Sequence, residues 1–325
     1  MDKQKTHNSI KLTCLLLALI LVLSTFSFSF AEEAKKTEKL NNYLDTKAAL
    51  VFLTDFGLKD GAVSAMKGVS FGVDPELKMF DVTHDIPSYD IWEGAYRFKQ
   101  TASYWPKGTV FVGVVDPGVG TERNSIVLKT KGGYYFVGPD NGLFSLVAED
   151  MGIDEVRKID EKKNRLAGSE KSYTFHGRDI FAYVGAKLAS GQLKFEDVGP
   201  KLKNEIVTIP YQKAAMNNKT VMGNIPVLDV QYGNVWSNIP SELFEKLNPK
   251  IGDMFRVEIY EGNKLVYKGE MPYVDSFGDV PEGKPLIYYN SLLNISVAIN
   301  MDSFAGINKI NSGSEWTIKL TKIDK

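Results

Sequence analysis

Apolar positions run almost unbroken from Leu12 to Phe30, give way to a polar stretch over residues 32–47, and return from Ala48 as short periodic segments. AALVFLTDF, LKMFDVTH, TVFVGVVDPG and SIVLKTKGGYYFVGPDNG are β-branched and aromatic runs that end in Asp, Gly or Pro, as buried strands closed by turns do. Between them lie the amphipathic stretches GAVSAMKGVSFGV and IWEGAYRFKQTASYW, and a further helix, RDIFAYVGAKLASG, follows with Gly191 placed to cap it. Strands alternating with helices predict an α/β sandwich built on a mostly parallel sheet, whose functional groups gather at the carboxyl ends of the strands. Asp55, His84 and Asp116 stand at such ends.

Beyond residue 199 the pattern changes. Residues 199–218 are turn-rich and weakly periodic, and TVMGNIPVLDVQYGNVWSNI, MFRVEIYEG, KLVYKGEM, PLIYYNS, NISVAIN and EWTIKL then follow as strands with only SELFEKL helical between them. Many short strands without intervening helices predict a small all-β barrel domain. The expected organisation is an α/β domain over 48–205, a linker over 206–218 and the β-barrel domain over 219–325.

The amino-terminal run reads as a processing signal. Lys3, Lys5 and Lys11 precede the apolar stretch, and Ser29-Phe30-Ala31 has the small-x-small pattern of a cleavage site, so residues 1–31 are expected to be a signal peptide and 32–47 a polar tether. Export follows, to the cell envelope or beyond, with no stable membrane association after cleavage; a retained anchor is the alternative. The lone cysteine, Cys14, would leave with the signal, and the remaining chain would hold neither disulfide nor thiol nucleophile. The first 31 residues carry three Lys and one Asp, so their removal takes the net charge only from −1 to −3. That balance does not point to a nucleic-acid partner.

Two clusters carry candidate chemistry. VDPGVGTER (115–123) follows a strand, but it lacks the GK[ST] of a phosphate loop, and the next residues resume a strand; what remains is a structural turn, or one that aims Asp116 and Arg123 at a common point. TFHGRD (174–179) places His176 just before a helix. With His84 and His176 the only histidines after the signal, a zinc site is not expected.

TDFGLKDG (54–61), DVTHDIP (81–87), VFVGVVDPGVGTER (110–123), GPDNGL (138–143), TFHGRD (174–179), LDVQYGNVWSNI (228–239) and the YNS to AIN segment (289–300) stand in the order and spacing of one family. The chain resembles the S-adenosylmethionine hydroxide adenosyltransferases, the hydrolytic relatives of the fluorinase and chlorinase. The resemblance runs from Ala48 to the C-terminus and implies an α/β domain joined to a small β-barrel. It also implies hydrolysis of S-adenosylmethionine to adenosine and L-methionine, by water or hydroxide attack at the ribose C5′, in a homotrimer with sites between subunits.

By that resemblance Asp116, Arg123 and His176 hold the attacking oxygen and Asp55 takes the ribose hydroxyls. Asp229 holds the methionine ammonium, Asn234 the adenine edge with Tyr232 and Trp236 beside it, and Ser291 the methionine carboxylate. No metal or other cofactor is implied, because a sulfonium is already a good leaving group. Two departures stand out: Leu293 replaces a glycine usual in the YNS segment, and Tyr232 stands where many relatives have phenylalanine. A halogenase is disfavoured, since the halide pocket of the halogenating relatives corresponds here to Asp116, Val119 and Gly177, and a carboxylate repels an anion by roughly 4 kcal/mol at 4 Å and an effective dielectric of 20. The remaining alternative is an exported nucleoside-binding protein without catalysis.

Overall fold

A computed structural model describes residues 47–324; the expected signal peptide and nearly all of the tether lie outside the described residues. The first sheet has six strands in the order β2-β1-β3-β5-β4-β6: β1 (Leu50–Thr54), β2 (Met79–Thr83), β3 (Val110–Val114), β4 (Ser125–Thr130), β5 (Tyr135–Pro139) and β6 (Ile153–Lys158). Only β4 runs against the others, so the sheet is mostly parallel as the pattern predicted. β1 and β3 are buried at every position, which is why they read as continuous apolar runs rather than alternating ones.

Alternate residues of these strands feed two cores. Leu50, Phe52, Val110, Val112 and Val114 pack with α1 (Ala62–Val73), a π-helix (Gly177–Ala182) and the α-helix that continues it. Val51, Leu53 and Phe111 pack on the other face with α2 (Ile91–Thr101) and α3 (Ser145–Met151), where Phe98, Phe111, Phe136 and Phe144 meet ring to ring. The continuing helix, α4, spans Tyr183–Ala189. Ser190 caps it and Gly191 follows at φ 75°.

The all-β half takes the form of two antiparallel sheets over one core. β7 (Ala215–Asn217), β8 (Thr220–Asn224), β11 (Met254–Glu261), β12 (Lys264–Pro272) and β15 (Trp316–Lys322) make one sheet. β9 (Val227–Asp229), β10 (Asn234–Pro240), β13 (Pro285–Tyr289) and β14 (Asn294–Ile299) make the other. β7 starts inside the span expected to be linker. All three of its side chains are exposed, so this edge strand leaves no apolar period to read. Trp92 of α2 joins the two halves, its indole N–H donating to the carbonyl of Pro226 at 2.9 Å. Among the described residues no helix is long and apolar enough to cross a membrane.

Candidate active site

The chain crosses from one side of β1 to the other between β2 and β3, so the carboxyl ends of β1 and β3 flank the crevice where ligands bind in open α/β sheets. Asp55 follows β1 and Asp116 follows β3 by two residues. Both line a cavity of 240 Å³ together with Phe56, Tyr89, Phe175 and His176.

Two motifs far apart in the chain meet here because one glycine lets them. Gly120, in the turn after β3, has φ 76°, and a Cβ there would lie 2.7 Å from the carbonyl oxygen of Tyr173, so only glycine lets VDPGVGTER fold against TFHGRD. The turn itself is closed by Val119 N–H to the Asp116 carbonyl and Thr121 N–H to that of Gly118, both at 3.1 Å. It delivers Arg123 back toward Asp116.

Arg123 is the hub of the trio. Its Nε donates to both oxygens of Asp116 at 3.0 and 3.1 Å, and its Nη2 makes a further close bond to Asp116 Oδ2. The same Nη2 donates to His176 Nδ1 at 3.0 Å. The guanidinium also lies over the Phe181 ring, 5.3 Å from its centroid. Asp116 and Arg123 are almost wholly buried, and bidentate pairing of this kind is what makes a buried ion pair tolerable. Burial, and next the Arg123 cation, hold His176 below the ordinary histidine pKa, so the ring is neutral at neutral pH.

Asp55 does not cap α1; Gly61 does, without a side-chain bond. Instead Asp55 Oδ2 accepts the N–H of Tyr89 at 2.8 Å, and among the described residues no hydrogen bond to Oδ1 is seen. Tyr89 is itself at φ 70° with its ring 71% exposed, a residue that no pattern in the sequence marked. Thr54 behind it bonds His84 Nδ1 at 2.8 Å and accepts Phe56 N–H at 3.2 Å, and His84 Nε2 lies 3.0 Å from Asp81, so the Asp55 loop is anchored from below.

A second, larger cavity of 680 Å³ opens at the β9–β10 hairpin, lined by Asp229, Tyr232, Asn234, Asn300 and Met301. Gly233 turns this hairpin at φ 69°, and a Cβ there would overlap the Ser303 hydroxyl. Asn234 donates to Asp229 Oδ2 at 3.2 Å. Trp236, expected beside Asn234, lines neither cavity: it packs among Trp92, Ala95, Tyr96, Leu146 and Val227, where a large apolar ring gains from burial. Ser291 is not brought to this cavity either. It sits exposed in the turn before β14, whose six residues span about 20 Å and lead to Asn300 at the other end.

Around the trio lies a ring of side chains that the motifs did not reveal. Arg123 Nη1 donates to Ser125 Oγ at 2.8 Å, and Ser125 donates to Glu161 Oε1 at 2.7 Å. Glu161 Oε2 pairs with Arg165 Nη2 at 3.5 Å. Arg165 Nη2 reaches His176 Nε2 at 3.3 Å. Arg165 lies in a loop without apolar period, so nothing in the chain marks it as close to His176. Among the described residues no three His, Cys, Asp or Glu side chains gather as a metal site would require.

Residues 50–199 match the family model of the SAM hydroxide adenosyltransferase N-terminal domain, and residues 223–317 match that of its C-terminal domain. The chain belongs to the SAM hydroxide adenosyltransferase family. A relative in this family named (R)-S-adenosyl-L-methionine hydrolase, from Methanocaldococcus jannaschii, is 32% identical over 281 residues, 85% of this chain and 94% of the relative. A second of the same name, from Salinispora tropica, is 36% identical over 269 residues, 82% of this chain and 96% of the relative. An uncharacterized conserved protein from Thermotoga maritima has a crystal structure that matches with a TM-score of 0.77 and 34% identity, over 84% of this chain and 99% of that one. Family and fold thus agree over both halves of the chain.

Proposed function

We propose that the protein hydrolyses S-adenosylmethionine to adenosine and L-methionine, with the oxygen nucleophile held by Asp116, Arg123 and His176. The observation that carries this reading is the single guanidinium that bonds both Asp116 and His176 on the wall of the cavity at the sheet's switch point. Water attacks the ribose C5′ from the side opposite sulfur. The new O–C5′ bond forms as the C5′–S bond breaks, its electron pair returns to sulfur as a neutral thioether, and the water proton passes to Asp116 and on to solvent. Sulfonium departure needs no acid, so the protein's task is to orient and desolvate the oxygen, which is worth roughly 7–11 kcal/mol in favourable cases. No metal or redox cofactor has a step to perform.

Asp55 receives the ribose hydroxyls in this reading, Asp229 the methionine ammonium and Asn234 the adenine edge, with Tyr232 beside it. The first cavity, at 240 Å³, is smaller than the roughly 300–1,000 Å³ typical of whole-ligand pockets, and the 680 Å³ cavity shares no lining residue with it. We therefore take the site to be completed between subunits, one supplying the Asp55 to Asp116 cavity and its neighbour the Asp229 hairpin, in a homotrimer. Halide is disfavoured as nucleophile because the Asp116 carboxylate faces the place it would occupy. A binding protein without catalysis would leave the buried trio without a task.

Incubation of the protein with S-adenosylmethionine followed by chromatography should show adenosine and methionine in equal amounts; absence of adenosine would end this reading. The location is proposed separately: cleavage after Ala31 and export. Mass spectrometry of secreted or envelope protein should find a terminus at Glu32, and an intact Met1 in soluble cytosolic protein would refute it.

A further inference from the structure

His176 has a guanidinium at each of its ring nitrogens. Arg123 Nη2 stands 3.0 Å from Nδ1 and Arg165 Nη2 stands 3.3 Å from Nε2. A guanidinium only donates, and a neutral imidazole offers one lone pair, so at most one of the two arginines bonds the ring. Arg123 has the shorter contact and is fixed by its paired bonds to Asp116, so it takes the lone pair on Nδ1. The ring proton is then on Nε2, the edge that faces Arg165.

Arg165 is no loose surface cation. Its side chain is 9% exposed. Its Nη1 donates to the carbonyls of Ser169 at 3.4 Å and Ser172 at 3.1 Å, and its guanidinium carbon lies 5.6 Å from the centre of the Tyr173 ring. Glu161 ties it back to Arg123 through Ser125, closing a circuit of side chains around the imidazole. We propose that Arg165 is a positioning residue of this site: its guanidinium packs against the Nε2 edge of His176 while Arg123 bonds the Nδ1 edge, so the ring lone pair is kept toward Arg123 and neither ring nitrogen meets an acceptor for a second ring proton.

The consequence for the reaction rests on the hydrolase reading given above. A ring bracketed in this way does not compete for the water proton, which leaves Asp116 as the proton acceptor on the cavity wall. The charged groups facing the ring are Arg123 and Asp116 from the turn after β3, and Arg165 and Glu161 from the loop after β6. The two arginines oppose a positive ring and the two carboxylates favour one, so the members of the Arg165–Glu161 pair act with opposite sign.

The chain has three histidines, so ring ¹⁵N spectra of histidine-labelled protein are simple, and a His176→Gln sample assigns the signal. In the wild type His176 should titrate at lower pH than a free histidine. Arg165→Gln removes a cation within 4 Å and should move the ring titration up by about one pH unit or more. The acid limb of kcat should rise with it. Glu161→Gln should move the titration the other way, to lower pH. Arg165→Lys keeps the charge but loses the fork that holds the Ser169 and Ser172 carbonyls and lies over Tyr173, so it should lower kcat while the ring titration stays near that of the wild type. Lys163→Gln, in the same loop with a side chain 80% exposed, is the control and should change neither. An Arg165→Gln protein whose His176 titrates as in the wild type overturns the proposal. If that variant fails to fold, Glu161→Gln decides, and an upward shift or none overturns it. These spectra need no turnover: a moved titration with no adenosine from any form would leave the clamp standing and end the hydrolase reading, and adenosine release with an unmoved titration would do the reverse.

Discussion

The cavity at the strand ends of the α/β sheet and the cavity at the β9–β10 hairpin differ in size, in exposure and in how far their groups are already engaged. In the first, Asp116, Arg123 and His176 are buried and joined by direct hydrogen bonds, and Ser125, Glu161 and Arg165 brace them. In the second, Tyr232 is 66% exposed and Met301 81%, and of the residues expected there Trp236 has gone to the core and Ser291 to a distant turn. Groups that must hold a small nucleophile in one place are organised by the chain itself, where low dielectric strengthens each bond and no reorganisation is needed at the moment of reaction. Groups that grip the bulk of a substrate can stay open until substrate or a neighbouring subunit covers them. On the proposed function the difference separates chemistry from binding, and substitutions can test the separation.

The largest effect is expected at Asp116. Asp116→Asn keeps the side chain's size and removes the proton acceptor, so kcat should fall about 10²–10⁴-fold with KM little changed. Steady-state kinetics with S-adenosylmethionine checks this, and a wild-type rate would show that the buried trio is structural.

Next comes the proposed division between subunits. A His176→Ala chain and an Asn234→Ala chain should each be nearly inactive, while a mixed oligomer in which one subunit's strand-end cavity meets its neighbour's hairpin carries both intact halves at about a quarter of its interfaces. Refolding the two chains together should therefore recover activity at least tenfold above either parent, to about a quarter of the wild type. Recovery no greater than the better parent would place both halves of the site in one chain.

Asp55 lies on the boundary between the two roles. Asp55→Asn loses the charge that strengthens bonds to the ribose hydroxyls while keeping an oxygen for the Tyr89 N–H. KM should rise about tenfold, with a smaller fall in kcat. An effect confined to kcat would move Asp55 into the nucleophile's company.

Legibility in the sequence follows the same division. β1, β2 and β3 were readable because each is an apolar run ended by a polar turn, and their ends brought Asp55, His84 and Asp116 to one edge. The trio was named through ordered motifs, but what makes it a unit was not readable, since Arg123 and His176 are 53 residues apart and meet only because Gly120 admits the Tyr173 carbonyl. Elements with weak local signals were missed: α3 is seven residues long, β6 interleaves its apolar residues with Asp, Glu and Arg, and the π-helix looks in sequence like the first turns of α4. Arg165 and Glu161 were missed for a plainer reason, because charged residues in a polar loop look alike until the loop is folded. Trp236 shares a motif with Asn234, yet motif membership does not say which way a side chain packs.

The smallest effect concerns Leu293 and probes the open side of the comparison. The turn between β13 and β14 is held by Asn290, whose Oδ1 accepts the N–H groups of Leu292 at 2.9 Å and Asn294 at 3.1 Å. It forces Leu293 to φ 57°, a conformation in which a Cβ crowds the following carbonyl and which favours glycine. The leucine side chain is 63% exposed, so burial within the chain does not offset the strain. Leu293→Gly should remove about 1–2 kcal/mol of strain and return about 0.5–1 kcal/mol through the freer unfolded chain, for a net stabilisation of about 0.5–1 kcal/mol. In a chain of this size that raises Tm by about 1–4 °C. The opposite result would also be informative: a Tm lowered by several degrees, and dependent on protein concentration, would mean that a neighbouring subunit buries Leu293 and that its packing in the oligomer outweighs the turn strain.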